Sequence, residues 1–178
     1  MGRPHLVQTQ RPARPPFQHD EAHLPLTVPR RTQIRMPLPD DDPLFTALFV
    51  LKDDVPTNMI NDYLQKVIKH SNVYNLWLAD MDPQNLTEDD EDATIPPVDP
   101  TWQSPFVGKT SEEAFEYLAT IPLQMALNRG YLVVLDRALY EQKDWVIIYR
   151  INEEGEITCI PCTAHMTLVY IDSYLWHR

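Results

Sequence analysis

Three consecutive stretches constrain the fold more than anything else in the chain: LFTALFVLKDD (44–54), VPTNMINDYLQKVIKHSN (55–72) and VYNLWLADMDP (73–83). The first is a short apolar run that ends in charge, as a buried strand does. In the second, Met59, Ile60, Tyr63, Leu64, Val67 and Ile68 recur at helical spacing. Asn61, Asp62, Gln65, Lys66 and Lys69 fall between them, so the helix is amphipathic. Pro56 suits its first turn and Asn72 its end. The third stretch is a second strand. A strand–helix–strand unit closes as a parallel pair with a right-handed crossover. A sheet must therefore extend this pair.

The later half supplies it. Thr110 and Glu113 have capping-box spacing, and Ala114, Phe115, Leu118 and Ala119 form one helical face. Pro122 predicts a kink or two short helices, and Gly130 suits the helix C-terminal stop. Three strands follow: YLVVLDR (131–137), DWVIIYRI (144–151) and EITCIPC (156–162). Gly155 in NEEGE suits a hairpin turn. The link ALYEQK is too short for a full crossover helix, so one pairing is expected to be antiparallel. The closing segment TAHMTLVYIDSYLWHR reads as a short helix that Thr163 could cap. The fold class is thus α/β, turning α+β towards the C-terminal end. The expectation is a single domain with a mixed, mostly parallel sheet of about five strands flanked by helices.

Residues 44–178 are assigned to this globular domain and residues 1–43 to a disordered Pro/Arg-rich tail. Nine of the 17 prolines lie in the tail. Its apolar residues have no period, so it cannot bury enough surface to offset its ordering entropy. An acidic loop insertion is expected at about 84–109. It carries five consecutive acids, Glu88 to Asp92, with Trp102 and Phe106 docking its far end.

Charge separates these regions. Of the net −11, residues 1–39 hold six arginines against Asp20 and Glu21, which is +4 there and −15 on the remainder. A body that acidic repels phosphates, so nucleic-acid binding by the domain is not expected. A protein with a basic surface is the expected partner. No run of about 18 apolar residues exists, so no membrane span is expected. Two cysteines and no apolar leader point to an intracellular, cytoplasmic or nuclear, location. The N-terminal prolines argue against the amphipathic helix of a mitochondrial presequence.

Two constellations are candidate sites. Cys159 and Cys162 form a C-x-x-C with His165 three residues on, a potential metal site. Residues three apart on a strand face opposite ways, however, so the strand would have to end between the cysteines. The second constellation lies where three apolar runs finish in acids: Lys52, Asp53 and Asp54, then Asp80 and Asp82, then Asp136 and Arg137. If those strands are parallel neighbours, the carboxylates gather at one edge, where α/β sheets bind ligands. Such a cluster, Lys52, Asp53, Asp80, Asp136 and Arg137, could take Mg²⁺ or phosphate. Asp also follows strands for plain capping reasons. No G-x-S-x-G, H-E-x-x-H or Walker motif is present, so no catalytic residue is assigned, and no cofactor is implied.

The run GYLVVLDRALYEQKDWVIIYRINEEGEITCIP, with MTLVYIDSYL after it, resembles the C-terminal half of a family of small bacterial and fungal proteins known only as a domain of unknown function. LFVLKDD is similar to that family's opening strand. The likeness spans roughly 44–83 and 110–175 through gapped patterns. It implies no activity and transfers no catalytic residue, and Cys162 lies outside the shared pattern. The leading expectation is a non-enzymatic, acidic protein-interaction module, inhibitor- or immunity-like. The alternatives are a small Mg²⁺- or phosphate-dependent enzyme using the strand-end carboxylates, and zinc binding through the C-x-x-C.

Overall fold

A computed structural model describes residues 45–71, 75–81, 93–122 and 126–175, without the side chains of 173–175. The proline-rich tail, the acid run 88–92, Asn72 and Asp82 lie outside the described residues. In chain order the elements are β1 (Phe45–Phe49), α1 (Thr57–Ser71), β2 (Leu76–Leu78), α2 (Ser111–Thr120), β3 (Leu127–Val134), α3 (Arg137–Lys143), β4 (Trp145–Ile151), β5 (Ile157–Thr163) and α4 (Thr167–Leu175). A 3-10 turn at Ala164–Met166 leads into α4.

These strands make one mixed sheet in the order β2-β1-β3-β4-β5. β1 is parallel to both β2 and β3, while β3–β4 and β4–β5 are antiparallel. Parallel and antiparallel pairings are therefore equal in number. The change of sense falls where the α3 link is seven residues long, enough for one short helix and no crossover. Gly155, at φ 78°, turns the β4–β5 hairpin.

Side-chain alternation sorts the core into two layers. Leu48, Val133 and Val146 face α1 (Ile60, Tyr63, Leu64), Tyr140 of α3 and Leu168 of α4. Phe49, Leu132 and Val134 face Ala114, Phe115 and Leu118 of α2. A polar set ties α1 to α3 and the start of β4. Tyr140 donates to Asp62 at 2.7 Å, and Lys66 pairs with Asp62 and Asp144, each at 2.8 Å.

Two expectations need correction around Pro122. The helix capped by Thr110 and Glu113 ends at Thr120 and does not continue through a kink. Ile121 is extended (φ −69°, ψ 134°), as a residue before proline prefers. Gly130 therefore stops no helix; it lies inside β3, which starts four residues earlier than the sequence suggested. The β1–β3 register jumps from Thr46↔Asn128 to Ala47↔Leu132, so residues 129–131 bulge out of that ladder. Asn128 Oδ1 accepts from the N–H groups of Gly130 (3.0 Å) and Tyr131 (3.1 Å). The buried Arg129 donates to the carbonyls of Leu127, Ile121 and Pro122, the last at 2.6 Å.

The described part of the insertion, 93–109, is a strap across the carboxyl ends of β1 and β2. Leu78 N–H donates to Thr94 Oγ1 (2.7 Å), Val98 N–H to Asn61 Oδ1 on α1 (2.7 Å), and Ser104 Oγ to Val50 O (2.6 Å). Trp102 packs on the α1 layer and Phe106 enters the α2 layer, edge-on to Phe49 at 4.8 Å.

Candidate functional site

The chain leaves β1 by α1 over one face and reaches β3 by α2 over the other. The gap between the carboxyl ends of β1 and β3 is thus a topological switch point, where open α/β sheets bind ligands. Four of the five residues singled out at strand ends lie beside it, Lys52 and Asp53 in the turn after β1, Asp136 at the cap and Arg137 in the first turn of α3. Lys52 Nζ lies 2.5 Å from Asp136 Oδ2. Arg137 donates to the Asp54 carbonyl (3.2 Å) and pairs with Glu141 (2.8 Å). Asp53 is exposed in the turn after β1. Asp80 stands apart, beyond β2. Its carboxylate accepts from Met81 N–H (2.7 Å), and its carbonyl accepts from the Tyr117 hydroxyl (2.5 Å).

Asp136 also has a structural duty. It is the N-cap of α3, accepting from Leu139 N–H at 3.1 Å. Burial would raise its pKa, but the hydrogen bonds and charge of Lys52, with the backbone donors of α3, outweigh this and hold it below the usual carboxylate range. Asp136 in turn holds Lys52 above the ordinary lysine value. The strap fills the adjacent edge through Ser104 and through Gly108 N–H, which bonds the Leu51 carbonyl at 2.9 Å. Among the described residues, no three His, Cys, Asp or Glu side chains come together as a metal site.

The C-x-x-C does not converge either. Cys159 pairs with Tyr149 and Cys162 with Val146 in the β4–β5 ladder, so their side chains take opposite faces. Cys162 is buried in the α1 layer, where burial pushes its thiol up to about 11, while Cys159 is exposed. Both are free thiols. His165, on the 3-10 turn, lies against His70 of α1, with ring centres 5.0 Å apart.

A second surface adjoins the switch point, and no motif announced it. α2 packs on β3, and β4 and β5 extend the sheet past it. On this face Trp145, Ile147, Tyr149 and Ile157 are half-buried, and Cys159 and Pro161 are exposed. Burial raises the Tyr149 pKa; Cys159, Glu112 at the start of α2, and Asp136 raise it further, against Lys52. Cys159 is its partner in the β4–β5 ladder, and the Lys52–Asp136 pair brings charge of both signs to bear on it. At the other end of the shelf, Lys143 Nζ lies 4.3 Å above the Trp145 ring. The sequence signal, alternation of apolar residues on both faces of DWVIIYRI, does not tell which face a helix will leave uncovered. On the opposite face a groove of about 400 Å³, its open mouth included, lies between α4 and the β4–β5 strands. Arg150 stands there 5.8 Å from the Tyr131 ring centre.

Compared with known proteins, the chain matches no family model, no curated protein and no solved structure. Among the described residues no helix is long and apolar enough to cross a membrane.

Proposed function

We propose that this protein is a non-enzymatic interaction module that receives a basic, partly apolar segment of another protein on the β4–β5 shelf. The observation that carries this reading is the position of Tyr149, half-buried on an apolar sheet face beside Cys159, where Glu112 and Asp136 act on the phenol against Lys52. Aromatic side chains with apolar neighbours and a charged rim are what protein interfaces use as anchors. Glu112 beside the shelf and the net charge of −11 favour a basic partner and speed encounter. Lys143 over Trp145 occupies the place a partner's lysine or arginine would take against an aromatic face. A catalytic reading has less behind it, because Asp80 and Asp136 are engaged in turn, capping and pairing contacts with the chain's own groups.

The test is an NMR titration of the full chain with a synthetic Lys/Leu peptide and its Glu/Leu counterpart. Shifts centred on Trp145, Tyr149 and Ile157, produced by the basic peptide alone and weakened by salt, are expected. Tyr149→Ala and Glu112→Lys should each weaken binding by about tenfold, the scale of an ordinary interface hot spot. Equal responses to both peptides, or shifts centred on another face, would refute the proposal.

A further inference from the structure

His70 and His165 are 95 positions apart and belong to different elements, yet their rings meet at the surface. We infer that they form a two-imidazole clamp for a borderline divalent cation, Zn²⁺ being the best fit, that joins the C-terminal end of α1 to the turn before α4.

The ring centres are 5.0 Å apart and the planes are inclined at 43°. In a tetrahedral zinc complex, metal–nitrogen bonds of about 2.0–2.1 Å, with each ring centre roughly 1.1 Å behind its nitrogen, put two imidazole centres about 5 Å apart. The inclination leaves the two rings splayed rather than stacked face to face. Both histidines are exposed, so water can complete the coordination and the ion has an open path.

A useful clamp needs its ligands held in place before the metal arrives. Here α1 and the turn are fastened from beneath. The buried Tyr63 hydroxyl donates to Thr167 Oγ1 at 3.2 Å, and Thr167 Oγ1 donates to the Ala164 carbonyl at 2.9 Å. The Ala164 N–H bonds the Asp144 carbonyl at 2.9 Å, and Asp144 pairs with Lys66 of α1. This ring of contacts runs through the elements that carry both imidazoles.

The electrostatics are mixed and leave the imidazoles as the deciding groups. His70 lies in the last turn of α1, whose carbonyl end favours positive charge. The same turn carries Lys69, which opposes a cation. A chain of net charge −11 attracts cations at longer range. Imidazole selects Zn²⁺, Cu²⁺ or Ni²⁺ over Mg²⁺ and Ca²⁺, which prefer oxygen. This site differs from one built on the C-x-x-C: Cys162 is buried and takes no part.

The experiment is calorimetric titration of the tag-free full chain with Zn²⁺, and with Mg²⁺ as a control. One saturable zinc equivalent and no magnesium response are expected. His70→Gln and His165→Gln should each weaken zinc binding at least tenfold, and the double variant should lose no more than the single ones, because one ligand without the other is no clamp. Retention of wild-type affinity in either variant would assign the ion to the chain's other histidines or to Cys159 and overturn the inference, as would no binding. A second readout needs no variant. Substoichiometric Cu²⁺ should broaden the NMR signals of His70 and His165 first; broadening centred elsewhere also overturns it.

Discussion

The ammonium of Lys52 and the carboxylate of Asp136 meet at 2.5 Å, 84 positions apart in sequence, and tie the loop after β1 to the loop after β3. The pair sits at the switch point of the sheet, with Asp136 mostly covered and Lys52 mostly exposed.

The first prediction separates the two duties of Asp136. Asp136→Ala removes the α3 cap and the ion pair, and should cost about 1–2 kcal/mol. Asp136→Asn keeps a good capping oxygen and loses only the exposed pair, worth about 0–1 kcal/mol. The native pKa of Asp136 is depressed, so its ionic contribution is complete above the unfolded value near 4 and is lost as pH falls through the lower native value. Urea melts of wild type and Asp136→Asn should therefore differ at pH 7 and converge in acid. A gap that widens on acidification would contradict the assignment.

Arg129 is the largest fully buried side chain among the described residues, at 1% exposure, and its two terminal guanidinium nitrogens donate to the carbonyls of Ile121, Pro122 and Leu127. Arg129→Met should leave those carbonyls without their donors and cost about 2–3 kcal/mol. Arg129→Lys cannot reach all three with one ammonium and should recover only part of the loss. Chemical denaturation measures both. A fully stable Arg129→Met would mean that other groups satisfy the carbonyls.

Phe106 anchors the strap between Phe49 and Tyr117, with ring centres 4.8 Å from each. Phe106→Ala should destabilise by about 3–4 kcal/mol, the cost of an emptied aromatic core site. Hydrogen exchange should show the Gly108 amide, bonded to Leu51 O, losing protection in the same variant. Unchanged exchange at Gly108 would show that the strap holds without its aromatic anchor.

Tyr63→Phe removes the hydroxyl that bonds Thr167 and should cost about 1 kcal/mol, since Thr167 keeps its bond to Ala164. Thermal melting reads this directly. The variant also loosens the seat of His165, so its zinc affinity should fall modestly while both imidazoles remain.

Much of the fold was legible locally. Period 3.6 in 55–72, the Thr110–Glu113 box, the turn at Gly155 and the short link at 137–143 each depend on neighbours in sequence. The candidate site was half legible. Acids at strand ends can be read from sequence, and parallel order places Lys52, Asp136 and Arg137 together. That Asp80 turns to its own loop and that the strap seals the neighbouring edge depend on side-chain direction and on Phe106 finding Phe49. Glycine suits both a helix end and a bulge; at Gly130 the extended backbone of Ile121 and the β1–β3 register decide for the bulge.

The sequence by itself determined most of the elements, their order and the parallel start of the sheet, with α3 legible only as a short link, because capping, periodicity and crossover handedness act over a few residues at a time. Tertiary structure alone decided which face of β4 and β5 stays open, that Cys159 and Cys162 part company, and that His165 meets His70. Those outcomes depend on how far α2 reaches across the sheet and on where a turn packs against α1. They are settled by long-range burial, which no short window of residues encodes.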